Sequence, residues 1–330
     1  MIQKSLELTA KSTLQWTTQT IPPLNEDEIL IKTVAGAISI GAELPQYNET
    51  DPTDLPPTYP KETGYESFGE VIATGESVRG FKVGDRAVAF YGHKDYGIVK
   101  ESKAIFVPGD VPHQEALLVI LSCDAAKGVL KLNPNENDRV LVTGAGTMGL
   151  LTIHYLKEYM KVSHIDMVEP HSVRGELARG LGAETVYKDQ SECPSDFYDY
   201  AIECSGFNDA FKILQKSLKY EGEMCILSDG NKESFILQPD FFRKELKVVG
   251  SSDGWDYEQH SKWYFKQIKD KESGLRGLFE KTITFEELPQ CFEELGKGKI
   301  SPIKVFGTIS NIISIKKRFP WSLFIYAGLS

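Results

Sequence analysis

From Glu28 to Val111 the apolar positions come in short runs. Glu28–Ile40 (EILIKTVAGAISI) reads as a strand ending near Gly41, and FGEVIATG, RAVAFYG and AIFVPGDV read as further short strands bounded by Gly, Pro and Asp. Between them, Asp51–Pro60 (DPTDLPPTYP) carries four prolines, which remove backbone donors and rule out a regular element there. Several short strands at this spacing predict a small barrel or sandwich.

The pattern changes near Gln114. EALLVILSCDAAKGVLKL has apolar residues at helical spacing and predicts one helix of 18 residues, and Asn133–Asp138 (NPNEND) is a turn. Buried strands then alternate with helices. RVLVTGAG leads into MGLLTIHYLKEYM, SHIDMVEP into VRGELARGLGA, and YDYAIECSG into DAFKILQKSLKY; EGEMCILSDG and ELKVVGSSDG follow as strands. Strands linked by crossover helices imply a parallel sheet covered on both faces, so the expected fold class is α/β. Beyond about residue 275, FEELPQCFEELGKG reads as an amphipathic helix and IKVFGTI as a strand. Residues 311–330 form an apolar, aromatic extension of unknown role with a basic patch at Lys316–Arg318, too short to span a bilayer.

Composition narrows the function classes. With 330 residues, 41% hydrophobic and 25% charged, the chain holds about two globular domains. A net charge of −10 argues against nucleic-acid and anionic-membrane partners and leaves a small-molecule substrate as the expected one. The N-terminal MIQKSLELTAKSTLQW has no long apolar run, so no signal peptide is expected, and the expected location is cytoplasmic. Five scattered cysteines without a CxxC pair argue for reduced thiols rather than disulfides or a cysteine-built zinc site.

The sharpest motif is Gly144-Ala-Gly146-Thr147-Met148-Gly149. It follows the apolar strand Val140–Val142 and opens a helix, the context a dinucleotide fingerprint requires. The first glycine permits the tight turn, the second lets the backbone approach a pyrophosphate, and the third lets helix and strand pack closely. The helix N-terminus offers free N–H groups to the phosphates. Glu169 lies 20 residues after Gly149, at the end of the next strand, where a carboxylate accepts hydrogen bonds from ribose hydroxyls and repels a 2′-phosphate. NAD(H) is therefore favoured over NADP(H), although Arg174, five residues on, could flank the adenine or meet a phosphate.

Gly64–Val88 (GYESFGEVIATGESVRGFKVGDRAV) then carries a family resemblance. Gly64, Glu66, Gly69, Val71, Gly75, Val78, Gly84, Asp85 and Val88 fit the pattern G-H-E-x-x-G-x-V followed by glycine, valine and G-D-x-V. With VLVTGAGTMGLL, RGLGAE, IECSG, KELKVVGS and IKVFG in order, the chain resembles the medium-chain dehydrogenase/reductase superfamily over about residues 25–308. The resemblance implies a GroES-like β-rich catalytic domain at 1–115, completed by about 276–310, and a doubly wound Rossmann domain at 116–275. Dimers are common in that superfamily, which makes a homodimer one candidate assembly.

The departures from the family are informative. Where zinc members place their catalytic metal ligands, this chain has Ile40, Tyr65 and Val119, and no cysteine lies between Met1 and Leu121. These side chains are poor zinc donors, and His93 and Cys123 have no partner at metal spacing, so no zinc is expected. Hydride transfer to a carbonyl still needs a group that polarises the oxygen and supplies a proton. Ala42 replaces the family's hydroxyl relay. Tyr65 stands where a metal-binding histidine would face the nicotinamide, and its phenol either does this work or fills the space. Glu66 corresponds to the family glutamate behind the metal and Glu43 to a family aspartate. Either could act as an acid or base or hold neighbours in place.

Ser39, Tyr47, His93, Asp95 and Tyr96 lie in segments that could line the cleft. The resemblance places Cys123 beside the nicotinamide, where a buried inert thiol is the plainer reading. It also places Ser205 and Ser228 along the nicotinamide half of the cofactor, and Lys304 near its pyrophosphate. The substrate pocket is expected from loop 45–60 and residues 91–96 and 251–265. The reading is a zinc-independent, NAD-linked oxidoreductase acting on an alcohol or carbonyl. The alternatives are a metal-free quinone or enone reductase, and an inactive dinucleotide-binding sensor or structural subunit.

Overall fold

Alternating apolar and polar residues open the chain as a hairpin, β1 (Ile2–Ala10) with β2 (Thr13–Thr20), which the sequence-based reading lacks. Leu6 and Leu8 of β1 point into an apolar cluster with Tyr47 and Phe292. β3 (Glu28–Ile38) leads into α1 (Ile40–Asn48), followed by β4 (Lys61–Glu62), β5 (Glu66–Thr74), β6 (Arg86–Ala89), β7 (Tyr96–Lys100) and β8 (Ile105–Val107). The computed structural model describes residues 1–228, 233–270 and 273–309, so the extension expected at 311–330 lies outside the described residues.

The second stretch runs α2 (His113–Leu117), α3 (Val119–Leu132), β9 (Arg139–Thr143), α4 (Thr147–Glu158), β10 (His164–Val168), α5 (Ser172–Leu181) and β11 (Thr185–Tyr187). It continues with β12 (Tyr198–Glu203), α6 (Asn208–Ser217), β13 (Leu218–Ile226), α7 (Pro239–Arg243), β14 (Lys247–Gly250) and α8 (Tyr257–Asp270). β15 (Phe279–Thr284), α9 (Leu288–Gly296) and β16 (Lys304–Thr308) complete the described chain.

Two larger sheets organise these elements. The first is six-stranded and parallel, in the order β11-β10-β9-β12-β13-β14. The chain moves outward from β9 on one side, then returns and moves outward on the other. This is the doubly wound order, and the strand direction reverses its progress beside β9, where such folds open a crevice for a ligand. The second sheet has the order β15-β16-β3-β5-β6-β8, with β7 also on β3. Most of its pairings are antiparallel, so it is the β-rich part the short apolar runs predict. β15 and β16 reach it from the far end of the sequence, with Val305 opposite Ile38. Residues of both sheets and of α2, α3 and α4 share one apolar core, which seats the crevice of the first sheet against the second.

Three boundaries differ from the sequence pattern. Residues read as the end of a strand at Ile40 instead begin α1, where Glu43 reaches back to accept the Ser39 backbone N–H at 2.7 Å. The single helix expected from Glu115 to Leu132 breaks at Leu118 into α2 and α3. The helix expected to run through Tyr220 stops at Ser217, and Leu218 is already a strand residue facing Tyr198. Lys244 explains that end: its ammonium donates to the carbonyls of Gln215, Lys216 and Leu218 at 3.2, 2.7 and 3.0 Å, satisfying acceptors the helix leaves open.

Candidate functional site

The glycine turn sits at the carboxyl end of β9. Gly144 has φ +83°, a left-handed conformation that glycine adopts at no steric cost, and an added Cβ would press on Ser205 at 2.9 Å. A Cβ on Gly149 would collide with the Gly144 carbonyl oxygen, so the third position must be glycine for the helix to pack against the turn. Gly146 caps α4 without a side-chain hydrogen bond, and an added Cβ there would meet nothing within 4 Å. The helix therefore presents uncapped N–H groups to an open space, the arrangement that suits a phosphate. Met148 packs its side chain on the core, and the Thr147 hydroxyl donates to the Ile303 carbonyl at 3.2 Å.

Glu169 directly follows β10 and is buried. Its Oε2 accepts the Ala145 N–H at 2.7 Å and its Oε1 the His171 N–H at 2.9 Å, so the carboxylate braces the glycine turn. The Arg174 guanidinium donates to the Ser301 carbonyl at 2.8 Å. Lys304 directly follows Ile303, the residue that accepts the Thr147 hydroxyl, and its side chain turns into the protein. It is fully buried and pairs with Glu66, Nζ to Oε1 2.7 Å.

Glu203, which the sequence-based reading passed over, is the hub of the crevice. It is completely buried at the end of β12 and accepts the Ser205 N–H at 2.7 Å, the Gly206 N–H at 3.0 Å, and hydroxyls of Ser205, Ser228 and Thr143. Both serines expected along the cofactor thus have their hydroxyls held by one carboxylate. An acid at a strand end directly before Ser-Gly, in IECSG, is the signal that could have drawn attention to it.

On the second sheet, Glu43 gathers three segments. Besides Ser39, it accepts the Gly64 N–H at 2.9 Å and meets His93 Nε2 at 2.9 Å, both side chains being buried. It is a positioning residue for the turn that delivers Tyr65. His93 lies among Phe285 and Phe292 rather than on a cleft, and Tyr47 is likewise packed. Glu66 opens β5; burial pushes its carboxyl above the usual range while Lys304 works against that shift.

Tyr65 lines a cavity of about 1390 Å³ together with Phe90, Ile120, Gly254, Trp255 and Tyr257. Its ring meets Phe90 edge-on at 6.0 Å, and Phe90 meets Tyr257 the same way at 6.2 Å, giving an aromatic wall. Burial first, and then the charge of Glu43, raise the Tyr65 phenol above its ordinary pKa, while a hydrogen bond with Gln46 opposes the shift. The phenol therefore stays protonated at neutral pH and can donate. The cavity wall also includes residues 101–106, Pro108 and residues 253–258; of the segments expected to line a substrate pocket, it takes in part of 251–265 and none of 45–60 or 91–96. Cys123 lies behind this wall, and burial pushes its thiol up to about 12, which leaves it unreactive. Ile40 opens α1 against apolar neighbours and Val119 is fully buried in the core. Among the described residues, no group of three His, Cys, Asp or Glu side chains could hold a metal ion.

Comparison with known proteins agrees with this architecture. The family described as Alcohol dehydrogenase GroES-like domain matches residues 25–168. The L-threonine 3-dehydrogenase of Aeromonas salmonicida is 25% identical, covering 84% of this chain and 91% of that protein. Among solved structures, 2R,3R-butanediol dehydrogenase from Bacillus subtilis matches with a TM-score of 0.77 at 24% identity, covering 93% of this chain and 99% of that one. A Sinorhizobium meliloti dehydrogenase bound to NADP matches with a TM-score of 0.81 at 19% identity, over 93% and 99% of the two chains. At these identities the solved structures speak to the shared fold.

Proposed function

Because the chain belongs to the medium-chain dehydrogenase/reductase superfamily, in its zinc-type alcohol dehydrogenase-like group, we propose that it is an NAD(H)-linked oxidoreductase acting on an alcohol or carbonyl without a catalytic zinc. Residues 1–115 with about 276–310 would form the catalytic part, and residues 116–275 the cofactor-binding part. The observation that carries the reading is the uncapped α4 N-terminus behind Gly144, Gly146 and Gly149, opening beside β9. Gly144, Gly146, Thr147, Met148 and Gly149 would cradle the pyrophosphate with backbone N–H groups. Glu169 has further lone pairs for ribose hydroxyls, and its charge repels a 2′-phosphate. Ser205 and Ser228, held by Glu203, would shape the nicotinamide end. The bound nicotinamide supplies or accepts the hydride.

Zinc does not fit the donor set. Two of the three family ligand positions are aliphatic, Ile40 and the core residue Val119, and the third is the phenol of Tyr65. In its place Tyr65 would donate a hydrogen bond to the substrate oxygen. Glu43 positions the Gly64–Tyr65 turn, and Glu66, next to Tyr65 in the chain, is held by the buried Lys304.

The test is a titration of the purified chain with NADH and NADPH, elemental analysis, and a substrate screen over alcohols, ketones, enones and quinones. Tighter binding of NADH, substoichiometric zinc and turnover of an alcohol–carbonyl pair are expected. About one zinc per chain would sink the metal-free reading, and turnover confined to enones or quinones would reassign the substrate class. Tight NADH binding with no turnover would point to a sensor.

A further inference from the structure

Tyr65 has a hydroxyl in the cavity but a neutral amide, Gln46, as its side-chain partner, and an amide does not take up a proton. The Glu43 carboxylate is engaged with Ser39, Gly64 and His93. On the other side of Phe90 the arrangement is different. Tyr257, at the start of α8, lines the same cavity, and its hydroxyl donates to Asp124 Oδ1 at 2.8 Å. The Gly254 N–H is shared between Asp124 Oδ1 at 2.7 Å and the Tyr257 oxygen at 2.9 Å, which locks the two groups in register. Asp124 lies on α3, 130 residues from Gly254 in sequence, so the contact exists only through the packing of α3 on the segment leading into α8.

We infer that Tyr257 and Asp124 form the proton-transfer pair of this cavity, with Tyr257 as the group that exchanges the proton with the substrate oxygen, alongside the hydrogen bond proposed from Tyr65, and Asp124 as the positioning residue behind it that stores the proton. This rests on the oxidoreductase reading above. In alcohol oxidation the substrate O–H bond breaks and its electron pair stays on oxygen. The proton passes to the Tyr257 oxygen as the phenol's own proton moves to the Asp124 carboxylate, while the hydride leaves to the oxidised nicotinamide that the proposed activity supplies. Reduction runs the same transfers backwards. Desolvation, the main cause, raises the Asp124 carboxyl to about 7, so it can give and take a proton near neutral pH. Tyr257 from α8, Asp253 from the segment before it and Glu66 from β5 are the groups that act on Asp124; Cys123, its neighbour on α3, stays neutral.

The experiment follows the carboxyl groups by infrared or carbon NMR titration of the cofactor-free full chain, comparing wild type with Asp124→Asn and Tyr257→Phe. One carboxyl titrating near pH 7 is expected. It should vanish in Asp124→Asn and move upward in Tyr257→Phe, which removes a hydrogen bond to the carboxylate. On a substrate found by the screen, both variants should lose roughly 100-fold in kcat, the scale of general acid–base catalysis, and lose the pH-profile limb near 7, with the NADH dissociation constant unchanged. Asp124→Glu should recover part of the rate. No carboxyl titrating between about pH 6 and 8, or an unaltered pH profile in both variants, would overturn the pair while leaving the oxidoreductase reading intact. Absence of any turnover by wild type would instead overturn that reading, and the pair's catalytic use with it.

Discussion

Lys304 and Glu66 are 238 positions apart in the chain, and their side chains meet as a buried ion pair with Nζ 2.7 Å from Oε1. β16 and β5, which carry them, both border β3, so the pair ties the end of the described chain to the strand that follows Tyr65. The second Glu66 oxygen has no hydrogen-bond partner among the described residues. Removing one partner strands a buried charge, so Lys304→Met should cost on the order of 3–5 kcal/mol in urea denaturation. The double variant Glu66→Gln with Lys304→Met should regain much of that loss. A double variant as unstable as the single one would mean the pairing is not its source.

Glu203 receives the donors of Ser205, Gly206, Ser228 and Thr143. In Glu203→Gln an amide –NH₂ would face those donors, and the crevice edge would loosen. NADH binding, read by fluorescence titration, should weaken about tenfold, equivalent to ~1.4 kcal/mol. Unchanged affinity would separate Ser205 and Ser228 from the cofactor.

Glu169 braces Ala145 and His171 and carries the proposed preference for NAD(H). Glu169→Ala should weaken NADH binding and lower the ratio of NADPH to NADH dissociation constants by roughly tenfold, since one unscreened charge contact is worth on the order of 1 kcal/mol or more. A ratio that does not move would place cofactor choice elsewhere, with Arg174 next to examine.

Two groups give the stability curve opposite slopes. Burial, and secondarily His154, lowers His260 from 6.5 to about 4, and its Nε2 lies 3.0 Å from the Ser122 hydroxyl. Between those values the unfolded chain binds the extra proton, so stability falls as pH drops, by about 3 kcal/mol at ~1.4 kcal/mol per pH unit. Asp124, raised from 3.8 to about 7, does the reverse: the folded chain holds the proton, and stability falls as pH rises through that window. Denaturation at several pH values should show His260→Gln flattening the acid side. Asp124→Asn should be more favourable, relative to wild type, at pH 8 than at pH 4. Parallel curves for all three proteins would contradict both assignments.

Much of the proposed cofactor half of the site was legible as local structure because its parts are local. The glycine turn, the strand before it, the helix after it and the acid closing the next strand are set by spacing along one βαβ unit. The same locality explains the misreadings. Apolar periodicity carries on through Leu118 and through Ser217–Tyr220, and nothing nearby in sequence ends it. α6 stops because Lys244, from a segment beyond the next strand, satisfies its last carbonyls, and because Leu218 finds Tyr198 as a strand partner.

The chemical half was legible only as residue types. Ile40, Tyr65 and Val119 could be read off as poor metal ligands, because donor chemistry belongs to the side chain alone. What those side chains face could not be read, because it depends on which distant groups burial brings within hydrogen-bond distance. Lys304 fits a pyrophosphate or a solvated surface equally well by sequence, and the packing of β16 beside β3 places it on Glu66. Asp124 carries no motif at all; the fold of α3 against α8 makes it the partner of Tyr257. Local spacing thus specified the glycine turn to which the proposed dinucleotide would bind, and desolvation by long-range packing decided the protonation behaviour of the ionisable groups around the cavity.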